Sequence, residues 1–131
     1  MTQYGRITNI LTGVSVDVHA TTEHPDSHYG HEVWVDNEGK AWFEVGGKHP
    51  FNYRVEIFGV HKCARIDIGK RIAQLRKQQG ITQAELGDHA GVTAANISRI
   101  ETGRYSPGLD VLARIANTLG CELAIIEKPS T

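Results

Sequence analysis

In the first half of the chain, apolar and polar residues alternate one by one, which is the period of a half-buried β-strand. Val14, Val16 and Val18 are separated by polar residues, and the same alternation runs from Phe51 through Tyr53 and Val55 to Ile57. Between these segments, HEVWV and KAWFEV flank Asp36-Asn37-Glu38-Gly39, in which the glycine can adopt the positive φ of a short hairpin loop. The polar stretch TTEHPDSHYG predicts a surface loop. Residues 1–64 are therefore predicted to form a small antiparallel β module.

From Ile66 onward, apolar residues recur every three or four positions, which is the period of an amphipathic helix. Ile68, Ile72 and Leu75 predict a first helix near residues 67–79, with Asp67 as its cap and Gly80 as its stop. Thr82-Gln83-Ala84-Glu85 has the form of a capping box, so a second helix is predicted to begin at Gln83 and to end at Gly91.

Two further helices and a terminal strand complete the predicted second half. Thr93 is expected to cap a third helix that runs to about Glu101, before Gly103. Ser106 and Pro107 suit the cap and first position of a fourth helix that ends at Gly120. Its apolar face is predicted to hold Leu109, Leu112, Ala113, Ala116 and Leu119. The segment CELAIIE, which contains β-branched residues, predicts a strand with an unpaired edge in the tail, residues 121–131.

The segment QAELGDHAGVTAANISRIET, residues 83–102, has the pattern of a helix-turn-helix. Leu86, Ala90 and Val92 supply apolar contacts around the turn at Gly91, and Ile97 and Ile100 anchor the next helix. With its flanking helices, the region of residues 66–120 resembles the phage-repressor (Cro-like, XRE-type) family of transcriptional regulators. Gly87 departs from that family, which usually carries alanine there, but it preserves the small size that the position needs.

The resemblance implies an α+β protein in which the N-terminal β module precedes an all-α, lambda-repressor-like helix-turn-helix domain over residues 65–120. It also implies a sequence-specific DNA-binding regulator, and specifically a repressor, whose third helix enters the major groove of double-stranded DNA. By position, the residues that meet base edges are Thr93, Ala94, Ala95, Asn96 and Arg99. Arg99 is the strongest candidate, because a guanidinium can donate two hydrogen bonds to one guanine.

The same resemblance assigns contacts with the DNA backbone to Gln83, Thr102 and Arg104. It also pairs Arg76 with Glu101 as a structural ion pair that fixes the angle of the recognition helix. One module this small cannot bind a half-site tightly and selectively, so we expect a homodimer. The CELAIIE segment is expected either to pair with its twin in that dimer or to join the N-terminal sheet.

Composition and charge are consistent with two modules of different function. Residues 1–64 hold five Lys/Arg, eight Asp/Glu and six of the seven histidines, whereas residues 65–131 hold nine Lys/Arg and seven Asp/Glu. No stretch has the roughly 18 apolar residues of a membrane span and the first residues lack the apolar core of a signal peptide, so a cytoplasmic protein without membrane association is expected. Cys63 and Cys121 are in no CxxC pair.

The N-terminal module leaves three alternatives open. His24, His28 and His31 suggest a metal-responsive repressor, but their spacing fits no compact ligand pattern, so a polar loop without bound metal is favoured. Alternatively, the module binds a partner protein, as in an antitoxin-type regulator. An enzyme is disfavoured because the chain has no nucleophile motif, phosphate-binding glycine loop or HExxH, and no cofactor is expected. The aromatic residues Trp34, Trp42, Phe43 and Tyr53 are predicted to form the core of the sheet.

Overall fold

The computed structural model describes residues 2–128 and separates into two compact units, one ending at Ala64 and the other beginning at Arg65. The first unit contains a five-stranded sheet, formed by β1 (Tyr4–Asn9), β2 (Ser15–Thr21), β3 (Val33–Asp36), β4 (Ala41–Glu44) and β5 (Tyr53–Ile57). The helices are α1 (Val60–Gln78), α2 (Gln83–Ala90), α3 (Ala94–Glu101) and α4 (Leu109–Thr118). This order gives the α+β architecture that the sequence predicts.

All neighbouring strands of the sheet are antiparallel, in the spatial order β4-β3-β2-β1-β5. The turn at Gly39, with φ of 85°, joins β3 to β4 as predicted. The alternating pattern does not predict β1, because its sequence YGRITN has only Ile7 as an aliphatic residue. Pairing with two neighbouring strands explains why β1 forms, since Ile7 lies opposite Val16 of β2 on one side and Val55 of β5 on the other.

A hydrophobic cluster of the first unit lies on one face of this sheet, and Val33 and Val35 of β3 are buried on the other. Ile7, Val18, Ala20 and Trp34 are buried, and Trp42, Phe43 and Tyr53 pack against them while remaining partly exposed. Gly5 makes room for the indole of Trp34, since a Cβ there would lie 3.2 Å from the ring and even closer to the carbonyl of Glu56. The predicted aromatic core is therefore present, with Trp34 at its centre.

The core of the second unit joins all four helices. Its buried residues are Ile72, Leu86, Ala90, Ile97, Ile100, Ile115 and Leu119. The helix α1 begins at Val60, not near residue 67, because nothing between Gly59 and Ile66 breaks a helix, and Asp67 lies within it and not at its cap. The buried stripe of α1 runs through Gly69, Ile72 and Arg76, which leaves Ile68 41% exposed.

The prediction for the start of α4 is wrong by two residues. Gly108, not Ser106, is the N-cap, and its carbonyl accepts the first helical hydrogen bond from Leu112. Leu109 and Ala113 are therefore exposed, and the packed face consists of Val111, Leu112, Ile115 and Leu119. Leu109, the first residue of α4, is 73% exposed and remains in solvent.

The predicted C-terminal strand is absent, because residues 121–128 are neither strand nor helix. A strand needs a neighbour for its main-chain hydrogen bonds, and the sheet that the structure describes contains no residue of this tail. The prediction that the tail joins the N-terminal sheet is therefore wrong for residues 121–128. Residues 129–131 of the predicted tail lie outside the described residues.

Candidate nucleic-acid interface

The ends of α2 and α3 are set by short-range hydrogen bonds. The Thr82 hydroxyl accepts from the Glu85 amide at 3.0 Å, and the Glu85 carboxylate accepts from the Thr82 amide at 3.3 Å, so the predicted capping box is present. Gly91 terminates α2 with φ of 72°, and the Thr93 hydroxyl caps α3 by accepting from the Asn96 amide at 3.1 Å. The turn between the two helices is therefore only three residues long, Gly91 to Thr93.

One side of each of these two helices is locked into the hydrophobic core. Leu86 and Ala90 of α2 and Ile97 of α3 are each 0% exposed, and Ile100 is 1% exposed. Complete burial of a leucine or isoleucine side chain contributes roughly 1.5–3 kcal/mol. The orientation of α3 about its own axis is therefore determined by the packing of its apolar side.

Two glycines allow unusually close approach of the main chains. A Cβ on Gly87 would overlap the carbonyl oxygen of Val92, just after the turn, and a Cβ on Gly69 would overlap the carbonyl oxygen of Ile100. The requirement for a small residue at position 87 is therefore stricter than the sequence indicates, because in this structure only glycine fits without displacement. The sequence gives no sign of the role of Gly69, since nothing in its neighbours indicates contact with a segment some thirty residues away.

A buried hydrogen-bond network connects α1, α2 and α3. The Arg76 guanidinium donates from Nε to Glu101 Oε2 at 2.7 Å and from Nη2 to Oε1 at 3.0 Å. These side chains are only 11% and 6% exposed. The hydrogen bond with Glu101 raises the pKa of Arg76 above its ordinary value, although burial opposes this effect. Arg76 Nη1 also donates to the Ile81 carbonyl at 3.0 Å.

The side chain of Gln83 belongs to the same hydrogen-bond network, a role that the sequence does not indicate. Its Nε2 donates to Glu101 Oε1 at 3.0 Å, so this carboxylate accepts three hydrogen bonds from two helices. The side chain of Gln83 therefore has a determined position at the amino end of α2. Its amide nitrogen carries two hydrogens, and this contact uses one of them.

The opposite side of α3 faces solvent at its amino end. Thr93, Ala94, Ala95 and Arg99 are exposed and Asn96 is partly exposed. Arg99 Nη1 donates to Asn96 Oδ1 at 3.1 Å, which brings these two predicted base-reading side chains together. Beyond the helix, Arg104 and Thr102 are exposed, and the Thr102 hydroxyl donates to the carbonyls of Ser98 and Arg99 at 3.0 and 3.2 Å.

Two side chains that the sequence does not single out satisfy carbonyl groups at helix ends. Arg114 Nε donates to the Ala90 carbonyl at 2.9 Å, and Gln79 Nε2 donates to the Leu119 carbonyl at 2.8 Å. The Arg114 hydrogen bond connects α4 with the end of α2. The Gln79 hydrogen bond connects the end of α1 with the end of α4. Both contacts span more than twenty residues of sequence, so no local pattern indicates them.

The histidine-rich loop forms hydrogen bonds within the first unit. His24 Nδ1 accepts from the Asp26 amide at 3.0 Å, and His24 Nε2 lies 2.9 Å from the Gly39 carbonyl oxygen. His31 Nδ1 lies 2.6 Å from Glu44 Oε1. Within residues 2–128, no three His, Cys, Asp or Glu side chains are grouped as metal ligands would be.

The fold and this exposed helix define a helix-turn-helix DNA-binding domain, and comparison with known proteins gives the family. Residues 72–126 match the family model described as "Helix-turn-helix". A regulator from Methanothermobacter thermautotrophicus, named as an uncharacterized HTH-type transcriptional regulator, is 49% identical over 51 residues, which cover 39% of this chain and 74% of the relative. The chain belongs to the XRE-like helix-turn-helix transcriptional regulators, a class of DNA-binding proteins and not of enzymes.

Other relatives share a similar region. The immunity repressor protein of Bacillus phage phi105 is 34% identical over 59 residues, covering 45% of this chain but only 41% of the repressor. A solved structure described as a toxin-antitoxin module from Streptococcus pneumoniae is 31% identical, with a TM-score of 0.44, covering 53% of this chain and 81% of that one.

Among the described residues, no helix is both long enough and apolar enough to cross a bilayer.

Proposed function

We propose that this protein is a sequence-specific transcriptional repressor that binds double-stranded DNA as a homodimer and places α3 in the major groove. The observation that carries the proposal is the two-sided character of α3. Its Ile97 and Ile100 are buried to 0% and 1% exposure, whereas Thr93, Ala94 and Ala95 face solvent at the opposite side. A helix held in this way can approach base pairs without losing its own packing.

Base recognition is assigned to the exposed end of α3. Arg99 is placed to read a guanine, because its guanidinium has five N–H donors and the contact with Asn96 uses one of them. Asn96 can pair with an adjacent adenine or hold Arg99 in its reading position. The methyl groups of Ala94 and Ala95 suit thymine methyls, and Thr93 completes the surface at the start of the helix.

Backbone contacts are assigned to residues on either side of α3. Gln83 lies at the amino end of α2, where main-chain amides and the helix dipole favour a phosphate, and its second amide hydrogen is suited to donate to one. Thr102 and Arg104 follow the carboxyl end of α3 and are exposed. These contacts position the protein on DNA, and they are expected to do so on any sequence.

The homodimer is supported by the exposed apolar tail. Leu123 is 42% exposed, Ile126 is 83% exposed and Ile125 is fully exposed. Such a segment gains by pairing with an identical one, because both would bury apolar area and satisfy main-chain groups. Two subunits would then present two α3 helices to half-sites about 34 Å apart. The proposal includes a cytoplasmic location, where such a repressor would bind its DNA.

The antitoxin-type and metal-responsive alternatives keep this DNA interface. They differ only in what the first unit binds. The relatedness of the second unit to a phage immunity repressor supports repression as the outcome of binding. The DNA interface is therefore the part of the proposal to test first.

Selection of bound sequences from a random DNA pool, using the full chain, tests this proposal. We expect one enriched palindromic motif, bound about a thousandfold or more tighter than random DNA. Ala95→Asp places a carboxylate on the α3 surface and should abolish binding to both kinds of DNA by repelling phosphates. Ala113→Asp makes the same change at an exposed position of α4 and is the matched control. The proposal would be overturned if no motif were enriched and if Ala95→Asp and Ala113→Asp bound DNA equally well.

A further inference from the structure

Side chains from the two edge strands of the first unit's sheet contact each other. β4 and β5 stand at opposite ends of the strand order, yet Trp42 and Phe43 of β4 both contact Tyr53 of β5. The ring centroids lie 5.8 Å and 5.4 Å from that of Tyr53, in edge-to-face arrangements. These rings therefore meet over the sheet face that holds the buried Ile7 and Trp34.

An open cavity of about 290 Å³ lies where these edges meet. Its apolar walls are formed by Ile7, Val14, Val16, Trp42 and Tyr53. Ile7 is 1% exposed and lies deep in the unit, whereas Val14 is 67% exposed and lies towards solvent. Clefts with apolar walls and aromatic rings are typical of small-molecule sites.

Several polar groups that line the cavity are engaged within the chain. Asn9 Oδ1 accepts from the amides of Leu11 and Thr12, the Thr12 hydroxyl accepts from the Val14 amide, and the Ser15 hydroxyl bonds that of Thr8. The indole N–H of Trp42 donates to Asp36 Oδ2 at 3.0 Å. Among the described residues, no charged side chain lines the cavity. An ionic ligand would therefore lose its hydration without gaining a partner.

We propose that this cavity is a binding site for a neutral, planar aromatic molecule of bicyclic size, such as an indole or a naphthalene. The class follows from three properties already described: apolar aromatic walls, the absence of charge, and volume. A cavity of about 150 Å³ accommodates benzene, so roughly twice that volume suits two fused rings. The proposal does not rest on the proposed function, and its test does not require that function to be correct.

The two tryptophans provide a built-in probe for this site. In a titration of the ¹⁵N-labelled full chain with indole, the side-chain N–H signal of Trp42 should shift with saturation, because its ring lines the cavity. The signal of Trp34, which is buried at 1% exposure and does not line the cavity, should move less. The anion indole-3-acetate should bind at least tenfold more weakly than neutral indole.

Val14→Trp and Val60→Trp form a matched pair of variants. The two valines are 67% and 69% exposed, but only Val14 lines the cavity. A tryptophan at position 14 should occupy the cavity and weaken indole binding at least tenfold, whereas the change at position 60 should leave binding within twofold of the parent.

Two results would overturn the proposal. One is the absence of a saturable Trp42 shift up to the solubility of indole. The other is equal binding by both variants, which would place indole elsewhere on the protein. If V14W instead changes the sedimentation coefficient while no indole binds to the parent chain, the cavity is covered by a second copy and the small-molecule site is disproved.

Discussion

Gly69 of α1 lies so close to the main-chain carbonyl of Ile100 in α3 that no Cβ fits between them. Since α3 carries the exposed surface proposed to read DNA, this contact between α1 and the end of α3 helps to determine how far that surface projects.

Gly69→Ala is therefore expected to destabilise the second unit, even though alanine favours a helix by about 1 kcal/mol relative to glycine. The added methyl must push α1 away from α3, and overpacking of this kind costs typically about 1–3 kcal/mol. Urea denaturation followed by circular dichroism measures the change. Gly108→Ala is the control: a Cβ there meets nothing within 4 Å and its φ of −65° suits alanine, so its cost is limited to the poorer N-cap that alanine makes. A more stable Gly69→Ala protein would contradict the close contact.

Because the Arg76–Glu101 ion pair is buried, we expect its loss to lower the free energy of unfolding much more than the loss of an exposed ion pair does. Glu101→Gln removes the charge that balances a guanidinium only 11% exposed, so we expect a loss of about 3–5 kcal/mol in the free energy of unfolding. The exposed pair Arg6–Asp17 offers a matched control, with side chains 39% and 62% exposed. Asp17→Asn should cost under about 1 kcal/mol. Equal losses in the two variants would show that burial of the pair has little energetic effect.

Asp36 predicts a pH dependence of stability in the first unit. The hydrogen bond from Trp42 lowers the pKa of Asp36, burial opposes this, and the amides of Lys40 and Glu38 lower it further. Because the folded pKa is below the unfolded value of about 3.9, the stabilisation is present above about pH 4 and is lost as the pH falls through the folded pKa.

Asp36→Asn should therefore lower stability near neutral pH by about 1–3 kcal/mol and should flatten the decline of stability in acid. Unfolding by urea, monitored through tryptophan fluorescence between about pH 7 and pH 3, measures both effects. Trp42→Phe removes the indole donor and should give a smaller acid dependence than the parent. If the parent and Asp36→Asn declined in parallel, another group would be responsible.

The two arginines near α3 should affect DNA binding differently. Arg99→Ala is expected to cost about 1–3 kcal/mol on the selected site and to relax preference at one base pair per half-site. Arg104→Ala should weaken binding to all sequences and reduce the salt dependence by about one counterion per subunit. Fluorescence anisotropy at several salt concentrations distinguishes them, with the exposed Arg54→Ala of β5 as the charge control. Equal losses on specific and random DNA for Arg99→Ala would refute base reading by Arg99.

Removal of the tail tests the proposed dimer. A chain ending at Gly120 lacks the exposed Leu123, Ile125 and Ile126 but retains α4 with its buried Ile115 and Leu119. It also loses the partly buried Cys121, which packs against the core. Sedimentation equilibrium should show a monomer, or a dimer dissociating at much higher concentration than the full chain. Ile125→Asp in the full chain is the milder variant and should act in the same direction. A truncated chain that dimerises at full strength would place the interface elsewhere.

Local chemistry explains what could be predicted from the sequence. The ends of α2 and α3 depend on groups a few residues apart: the reciprocal bonds of Thr82 and Glu85, the left-handed Gly91, and the cap at Thr93. The hairpin at Gly39 depends equally on its own neighbours. Such interactions leave a signature in the order of residues, so the helix-turn-helix is identifiable from the amino-acid sequence alone.

Features that depend on contacts between segments far apart in the chain could be identified only from the tertiary structure. Periodicity placed Ile68 on the buried side of α1, but the close approach to α3 makes Gly69 the buried residue. Likewise, no local pattern indicates that Gln83 donates to Glu101, or that Trp42 and Tyr53 meet across the two edges of one sheet. Sequence order determined which helices and turns form, because their hydrogen bonds are local. Which sides of them are buried was decided by packing, since burial depends on contacts between distant segments.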